Sequence, residues 1–388
     1  MFSSAFSDFS EFVSNTTECT ELQLVRQSNA EENSQESEPF KPEFTYPIFG
    51  EQETVFGYKG LQIKINYASG SLKTYLNISY KEKFNGQGTN DTGVLEAADI
   101  KGTLSEYLPS DVLSNYDEFI RIVQEDAKTF KPLGEKMSEY KVETEDGDEE
   151  QYEIYRTTFS NTKFRSYHDR MQLFALLFIE GSSYIDNEDE KWEIYTVFEK
   201  QGQNESAVYH FVGYCTAYPF FCWPENIRMR ISQFLILPPY QKQGHGNSLY
   251  QTLYCIFTTR NEVCELTVED PNEEFSNLRD KNDMRILRDQ HAFQGLQAPV
   301  PEEKIKELQK RFKLTERQIR RCVEMYLLSK LNKLDSAAYK AYRLQVKQRL
   351  YLFNIDALKD MDADEMKEKL QATYDGVEEE YHDLLEQV

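Results

Sequence analysis

The stretch from Arg230 to Pro271 constrains the fold more than any other part of the chain. A continuous apolar run (Ile231, Phe234, Leu235, Ile236, Leu237) reads as a buried strand, and Pro238 and Pro239 stop it. A short loop with Gly244 and Gly246 follows, and helical spacing begins at once, over residues 246–258. A second strand, residues 265–268, then delivers Glu269 and Asp270. Strand, glycine loop and helix start together form an anion site. Glycines let backbone N–H groups approach phosphate oxygens, and a helix N-terminus adds about half a positive charge. The loop Gln241-Lys242-Gln243-Gly244-His245-Gly246 lacks the lysine–serine ending of a nucleotide P-loop. It also has Leu249 where a dinucleotide fingerprint places its third glycine. The pattern therefore points to a phosphate-bearing cofactor of another kind, with carboxylates brought close to it.

Composition narrows the partners. The 388 residues carry 67 Asp and Glu against 44 Lys and Arg, a net charge of −23. This disfavours nucleic acid and anionic membranes and favours a basic partner, although acidity alone also serves solubility. Six cysteines contain no C-x-x-C pair and five histidines no H-E-x-x-H, so neither a disulfide framework nor a metal site is expected. No apolar run of about 20 residues and no signal peptide is expected from the sequence.

Four regions are expected: an N-terminal segment with an acidic linker (1–39), an α+β domain (40–163), a mixed sheet with helices (164–298) and a helical region (299–388). Glu21–Val25 alternates as an edge strand, and residues 28–38 read as a flexible acidic run. Leu61, Ile63 and Ile65, then Leu72, Thr74, Leu76 and Ile78, alternate as strands about a turn at Ala68-Ser69-Gly70. Residues 143–150 form an acidic hairpin or loop around Gly147. Helix is expected over 171–179, and strands over 194–198 and 208–218. Thr315 and Gln318 read as a capping box, and helical spacing continues over 335–352 and 362–387.

The loop resembles motif A of the GNAT acetyltransferase superfamily, whose loop amides hold the pyrophosphate of coenzyme A. The segments FLILPPYQKQGHG, TVEDPNEEF, FGYKGLQIKINYASGSL, RSYHDRMQLFALLFIEGSSYID and KWEIYTVFEK resemble the catalytic subunits of type B histone acetyltransferases in their fungal form. The resemblance spans roughly residues 40–335. It implies an α+β GNAT fold with a mixed central sheet, an N-terminal α/β domain and a C-terminal helical region. It implies acetyl-CoA as cosubstrate and no metal.

On that resemblance the cofactor lies along Phe234, Leu235 and Ile236 and on the loop Gln241, Lys242, Gln243, Gly244, His245, Gly246 and Asn247, with Asn272 and Lys281 as further contacts. The slot of His245 is read as tolerant, backbone amides carrying the binding. Glu269 is the expected general base, with Asp270 and Glu180 as accessory carboxylates in a partly dry cleft that raises at least one pKa. The ordinary alternatives are an exposed turn acid for Glu269, a solvated helix-end charge for Glu180 and a turn residue for Asn272. Where the family carries an arginine for the coenzyme phosphates, Lys281 keeps the charge and loses the bidentate fork. The implied substrate is the N-terminal tail of histone H4, gripped by Glu51, Gln52, Glu53, Trp192, Tyr218, Pro219 and Phe220. Acidic residues suit a basic tail, and aromatics flank glycine-rich backbone and lysine stems. Trp192 and Phe220 read equally well as core aromatics. A WD-repeat β-propeller histone chaperone is the implied partner, and cytoplasm and nucleus the implied location. A non-catalytic histone carrier that keeps a coenzyme pocket is the alternative reading, and a GNAT enzyme for a small amine is a third.

Overall fold

The computed structural model describes residues 9–27, 38–85, 89–90, 93–94, 96–144 and 147–388. The acidic run at 28–37 lies outside them. The chain forms two compact units, one of residues up to Tyr218 with Ser232–His245, the other of Pro219–Ile231 with Gly246–Val388.

The first unit contains a three-stranded sheet, β1 (Thr20–Val25), β2 (Gln62–Ala68) and β3 (Thr74–Ser79). The strand expected at an edge is there: β1 lies parallel to β2, and β3 pairs antiparallel on the other side. Ile63, Ile65 and Tyr67 are buried while Gln62 and Lys64 face water, the period of two that the sequence carries. Helix α1 (Tyr116–Thr129) is capped by Asn115 and packs Phe119 and Val123 against Ala68.

A larger antiparallel sheet follows, built from β4 (Glu135–Glu143), β5 (Glu149–Thr158), β6 (Glu193–Gln201) and β7 (Val208–Cys222). Strands β4 and β5 pair antiparallel up to Glu143 and Glu149, as in the expected hairpin, with Gly147 at φ 85°; residues 145–146 of the acidic stretch lie outside the described residues. Between β5 and β6 stand α2 (Thr162–Met171) and α3 (Leu173–Phe178). The sequence suggested one helix over 171–179. In the structure the helical stretch begins at Thr162 and breaks at Gln172. All six residues of α3 are buried, which makes its run conspicuous, whereas α2 mixes buried Phe164, Tyr167 and Met171 with polar residues and is harder to see.

Strand β8 (Asn226–Ile236) contributes its second half to this unit. Gln233 N–H donates to Thr216 Oγ1 (3.0 Å) and Leu237 N–H to the Val212 carbonyl (2.9 Å). Gly213 allows that approach, because a Cβ there would sit 2.3 Å from the Leu235 carbonyl oxygen and 2.9 Å from Ile236 Cα. Backbone cannot move aside as a flexible side chain can. Gly213→Ala is therefore expected to cost about 3 kcal/mol by overpacking, and to lower thermal stability and coenzyme affinity together in a melt and a titration.

In the second unit the first half of β8 pairs in parallel with β9 (Val263–Val268). Parallel neighbours need a crossover, and α4 (His245–Thr259) supplies it, burying Leu249, Tyr250, Leu253 and Phe257. Five longer helices follow: α5 (Glu273–Asp289), α6 (Glu302–Phe312), α7 (Glu316–Lys330), α8 (Ser336–Phe353) and α9 (Ala363–Leu385). Thr315 caps α7 through the Gln318 N–H (3.2 Å), but the Gln318 side chain turns to Asp280 (2.7 Å), so only half of the expected box forms. A buried Arg349–Glu324 pair (2.8 Å), joined by the Tyr381 hydroxyl (2.9 Å), ties α7, α8 and α9 together.

Candidate active site

In the first unit the loop is held from both ends by buried side chains. Residues 238–240 form a single 3₁₀ turn that brings Tyr240 inward. Arg26 Nη2 donates to Glu199 Oε2 (2.5 Å) and to the Tyr240 hydroxyl (2.6 Å). Burial pushes the Glu199 carboxyl up, but the Arg26 guanidinium outweighs it and holds the group below the usual carboxylate range. At the other end His245 is 1% exposed. Its Nδ1 lies 2.9 Å from the Tyr140 hydroxyl, and its ring packs at 4.3 Å from Tyr152 and 6.0 Å from Tyr240. The expectation of a tolerant slot is corrected: His245 fills an aromatic socket made by the β4–β5 hairpin.

Between these anchors the backbone turns sharply, with Lys242 at φ 62° and Gly244 at φ 93°. A left-handed lysine is strained by about 1–2 kcal/mol, and such residues gather where a loop has a task. The Gln241 and Gln243 side-chain amides donate back to the Ile236 (2.9 Å) and Pro239 (3.0 Å) carbonyls, and the Gln241 N–H donates to the Pro238 carbonyl (3.2 Å). The first-turn amides of α4 have no acceptor within their helix. Residues 238–248 contain no acidic side chain. These features fit a diphosphate.

Burial also lowers three imidazoles of this unit, His245 and His210 to about 4 and His168 to about 3. Each group is neutral when folded and takes up a proton more readily when unfolded. Their contribution is intact above the unfolded pKa of about 6.5 and is lost as pH falls toward the folded values. Unfolding midpoints in denaturant should thus drop between pH 6.5 and 4, and His245→Phe should make that drop shallower.

In the second unit, Glu269 follows β9 directly, and its N–H donates to the Ile231 carbonyl (2.9 Å), which extends the parallel ladder to the candidate base. Asp270 takes φ 33°, which turns the chain toward α5. Both acids are exposed, as is Glu180 in the turn after α3 of the first unit, so this structure does not enclose them in the partly dry setting that was expected. Asn272 is the N-cap of α5, its Oδ1 accepting the Phe275 N–H (2.9 Å), which is the turn role considered for it. Lys281 Nζ bonds the Gln387 side chain (3.0 Å). Asn247 Oδ1 accepts from Asn282 (2.7 Å), fixing the start of α4 on α5.

Of the substrate-side residues, Trp192 and Tyr218 meet edge to face at 4.9 Å, and the Tyr218 hydroxyl donates to Asp189 (2.8 Å). Both are half-buried, so they present surface as well as packing. Glu51 and Gln52 are exposed, whereas the Glu53 carboxylate accepts the Thr45 (2.6 Å) and Tyr46 (3.1 Å) amides and is engaged in holding its own turn. Those amide bonds hold its pKa below the usual range. In the second unit Pro219 is half-buried and Phe220 lies exposed beneath the Arg230 guanidinium (4.4 Å). Among the described residues no His, Cys, Asp and Glu cluster is able to hold a metal ion, and no helix is long and apolar enough to cross a membrane.

Sequence reading missed Arg26, Glu199, Tyr140, Tyr152 and Tyr240, the residues that clamp the loop. Tyr240, next to the double proline, was the one with a local signal.

An α+β chain with a glycine loop between parallel strands, and acids at the end of the second strand, has the order of elements that the resemblance to acetyltransferases implies. Residues 12–180 match the family model described as Histone acetyl transferase HAT1 N-terminus, and residues 280–332 the model described as Fungal HAT1, C-terminal. The histone acetyltransferase type B catalytic subunit of Cryptococcus neoformans is 41% identical over 97% of both chains. Its namesake in Mycosarcoma maydis is 41% identical over 96% of this chain and 88% of its own. The Homo sapiens protein of that name is 35% identical over 88% and 80%. The chain belongs to the family of histone acetyltransferase type B catalytic subunits. Likeness to solved structures is partial: Arabidopsis thaliana Naa50 covers 32% of this chain and 76% of its own at 14% identity, with a TM-score of 0.23, too low to bear on the assignment.

Proposed function

We propose that this chain transfers the acetyl group of acetyl-CoA to lysine side chains in the N-terminal tail of newly made, soluble histone H4. The observation that carries the reading is the continuous order of strand, anchored glycine loop, helix and second strand, with Glu269 directly after it. Loop amides after Gln241, through Asn247, hold the pyrophosphate, and the edge of β8 at residues 234–236 aligns the pantetheine arm. Backbone donors on that edge stabilise the developing oxyanion.

A lysine with a pKa near 10.4 is almost wholly protonated at neutral pH, so the amine must lose a proton before it attacks. Glu269 takes that proton, with Asp270 and Glu180 as accessory carboxylates. Coenzyme and peptide laid over these exposed acids would supply the desolvation that the protein alone does not. The freed amine attacks the thioester carbonyl directly, and the coenzyme thiolate leaves. No cysteine lies within the loop, which disfavours a covalent acetyl-enzyme.

The family's name supports a histone substrate, and the net charge of −23 suits a basic tail. Glu51 and Gln52, the Trp192–Tyr218 pair, and Pro219 and Phe220 are the proposed groove residues. Glu53 belongs to that set by resemblance but serves it indirectly, by shaping the turn. A WD-repeat histone chaperone is the proposed partner, and cytoplasm and nucleus the proposed locations. Incubation with labelled acetyl-CoA and an H4 tail peptide is expected to place label on peptide lysines. Coenzyme binding with no transfer would instead favour the carrier reading, and label on small amines alone would favour the small-amine reading.

A further inference from the structure

Strand β9 is short, and among the described residues no full strand neighbours the edge it turns away from β8. The Leu266 N–H donates to the Lys313 carbonyl (2.7 Å), a single bridge. The Leu266 carbonyl accepts instead from a side chain, Arg279 Nη2 on α5 (3.1 Å). A buried guanidinium thus completes the strand three residues ahead of Glu269. Arg279 in turn stands one helical turn from Asp283, with Nε 3.5 Å from Oδ2. The Asp283 side chain is fully buried, and its Oδ1 accepts from the Tyr250 hydroxyl on α4 (2.8 Å). Neither Asp283 Oδ2 nor Arg279 Nε has a hydrogen-bond partner among the described residues. Their mutual attraction, with the Tyr250 hydroxyl and the Leu266 carbonyl, offsets the desolvation of both charges, and removing either one takes a partner from the other.

We propose that the buried Arg279–Asp283 pair positions the base: it fixes the carbonyl edge of β9 and couples it, through Tyr250, to the helix that starts at the anion loop. The inference rests on the Glu269 reading above. Asp283 is shut off from solvent and Arg279 nearly so, with its side chain 10% exposed, so both are positioning residues. The geometry makes the device sensitive to charge. An ionised Asp283 holds Arg279 on the Leu266 carbonyl, and a protonated one releases it. Burial pushes the Asp283 carboxyl up to about 7 against the pull of Arg279 and Tyr250. The groups that face it are Arg279 and Asp280 on α5, Tyr250 and Tyr254 on α4, and Gln318 and Cys322 on α7, with Arg321 bound to Asp280 beside them.

The test compares Asp283→Asn, Arg279→Lys and Tyr250→Phe with the parent chain. It follows turnover, KM for the peptide, the acetyl-CoA dissociation constant and the pH profile of kcat. Asp283→Asn is expected to lower kcat about ten- to hundredfold, as misplacement of a reacting group does, with the coenzyme constant unchanged within about threefold. Its acid limb should lose one ionising group, falling with the first power of proton concentration where the parent falls with the second. Arg279→Lys keeps the charge and should recover part of the loss. An unchanged kcat and acid limb in Asp283→Asn would overturn the proposal. So would a loss that merely follows the fraction of folded protein. If Asp283→Asn does not fold, Tyr250→Phe decides, because it deletes one hydroxyl: reduced kcat at constant coenzyme affinity supports the proposal, and unaltered kcat overturns it. Near-normal turnover in Glu269→Gln would sink the base assignment itself. An inactive Glu269→Gln beside a normal Asp283→Asn would sink this inference alone.

Discussion

Glu269→Gln is expected to lower turnover by about 10²- to 10⁴-fold, the range that a positioned general base contributes, while acetyl-CoA binding stays nearly unchanged. Gln keeps the size of the side chain and its hydrogen-bonding reach, and removes the ability to accept a proton. The residue is exposed, and its N–H bond to the Ile231 carbonyl is made by backbone. Stability should therefore move by no more than about 0.5 kcal/mol, as at other surface positions. A second signature separates base loss from misplacement. As pH rises toward the lysine pKa near 10.4, solution chemistry supplies the neutral amine, and the variant should regain rate relative to the parent. Initial rates from pH 7 to 10, beside calorimetric titration with acetyl-CoA, check both points. A variant with parental turnover at neutral pH would remove Glu269 from the mechanism.

The second large effect is on stability. Arg26→Ala leaves Glu199, 4% exposed at its side chain, without its cation. Breaking a buried pair costs about 3–5 kcal/mol, because the remaining charge stays desolvated. Arg26 is itself 25% exposed, which places the expected loss near the lower end. The variant should also bind acetyl-CoA more weakly, since Tyr240 loses its anchor one residue before the loop. Thermal melts of Arg26→Ala, Glu199→Gln and the double variant form the check. The double variant should be more stable than Arg26→Ala alone, because neutralising Glu199 removes the stranded charge. If Arg26→Ala melts with the parent, the clamp carries no weight. The pH dependence has the same sign as that of the buried histidines. A carboxyl held below its usual range stabilises above its unfolded pKa, and that stability is lost as pH falls through the folded value. Glu199 therefore adds to the loss of stability on acidification, below its own unfolded pKa.

Local signals were legible from sequence alone. The double proline, the glycines of the loop and the alternation of β2 are decided within a few residues, and the structure keeps each. What was hidden depends on pairs far apart in the chain. Arg26 meets Glu199 across 173 positions and Tyr240 across 214, and neither partner marks the other locally. Tyr140 lies on a strand whose neighbours are mostly charged, so its contact with His245 has no periodic trace. The misjudged α2 shows the converse. Its buried face includes His168 and Arg170, so hydrophobicity alone understates it. Glu53 was read by its charge, which suits a basic tail. Its left-handed backbone and the amides at Thr45 and Tyr46 turn that charge to a structural use. At the candidate site the order of residues was legible, while the buried supports that hold them in place were not.

The measurement that bears most directly on the whole scheme is a crystal structure of the chain with coenzyme A and an H4 tail peptide. The pyrophosphate should accept hydrogen bonds from the amides between Gln241 and Asn247, and a lysine Nζ should lie within reach of the Glu269 carboxylate, directly or through one water. A coenzyme seated away from that loop, or a Glu269 carboxylate turned from the bound lysine, would contradict it.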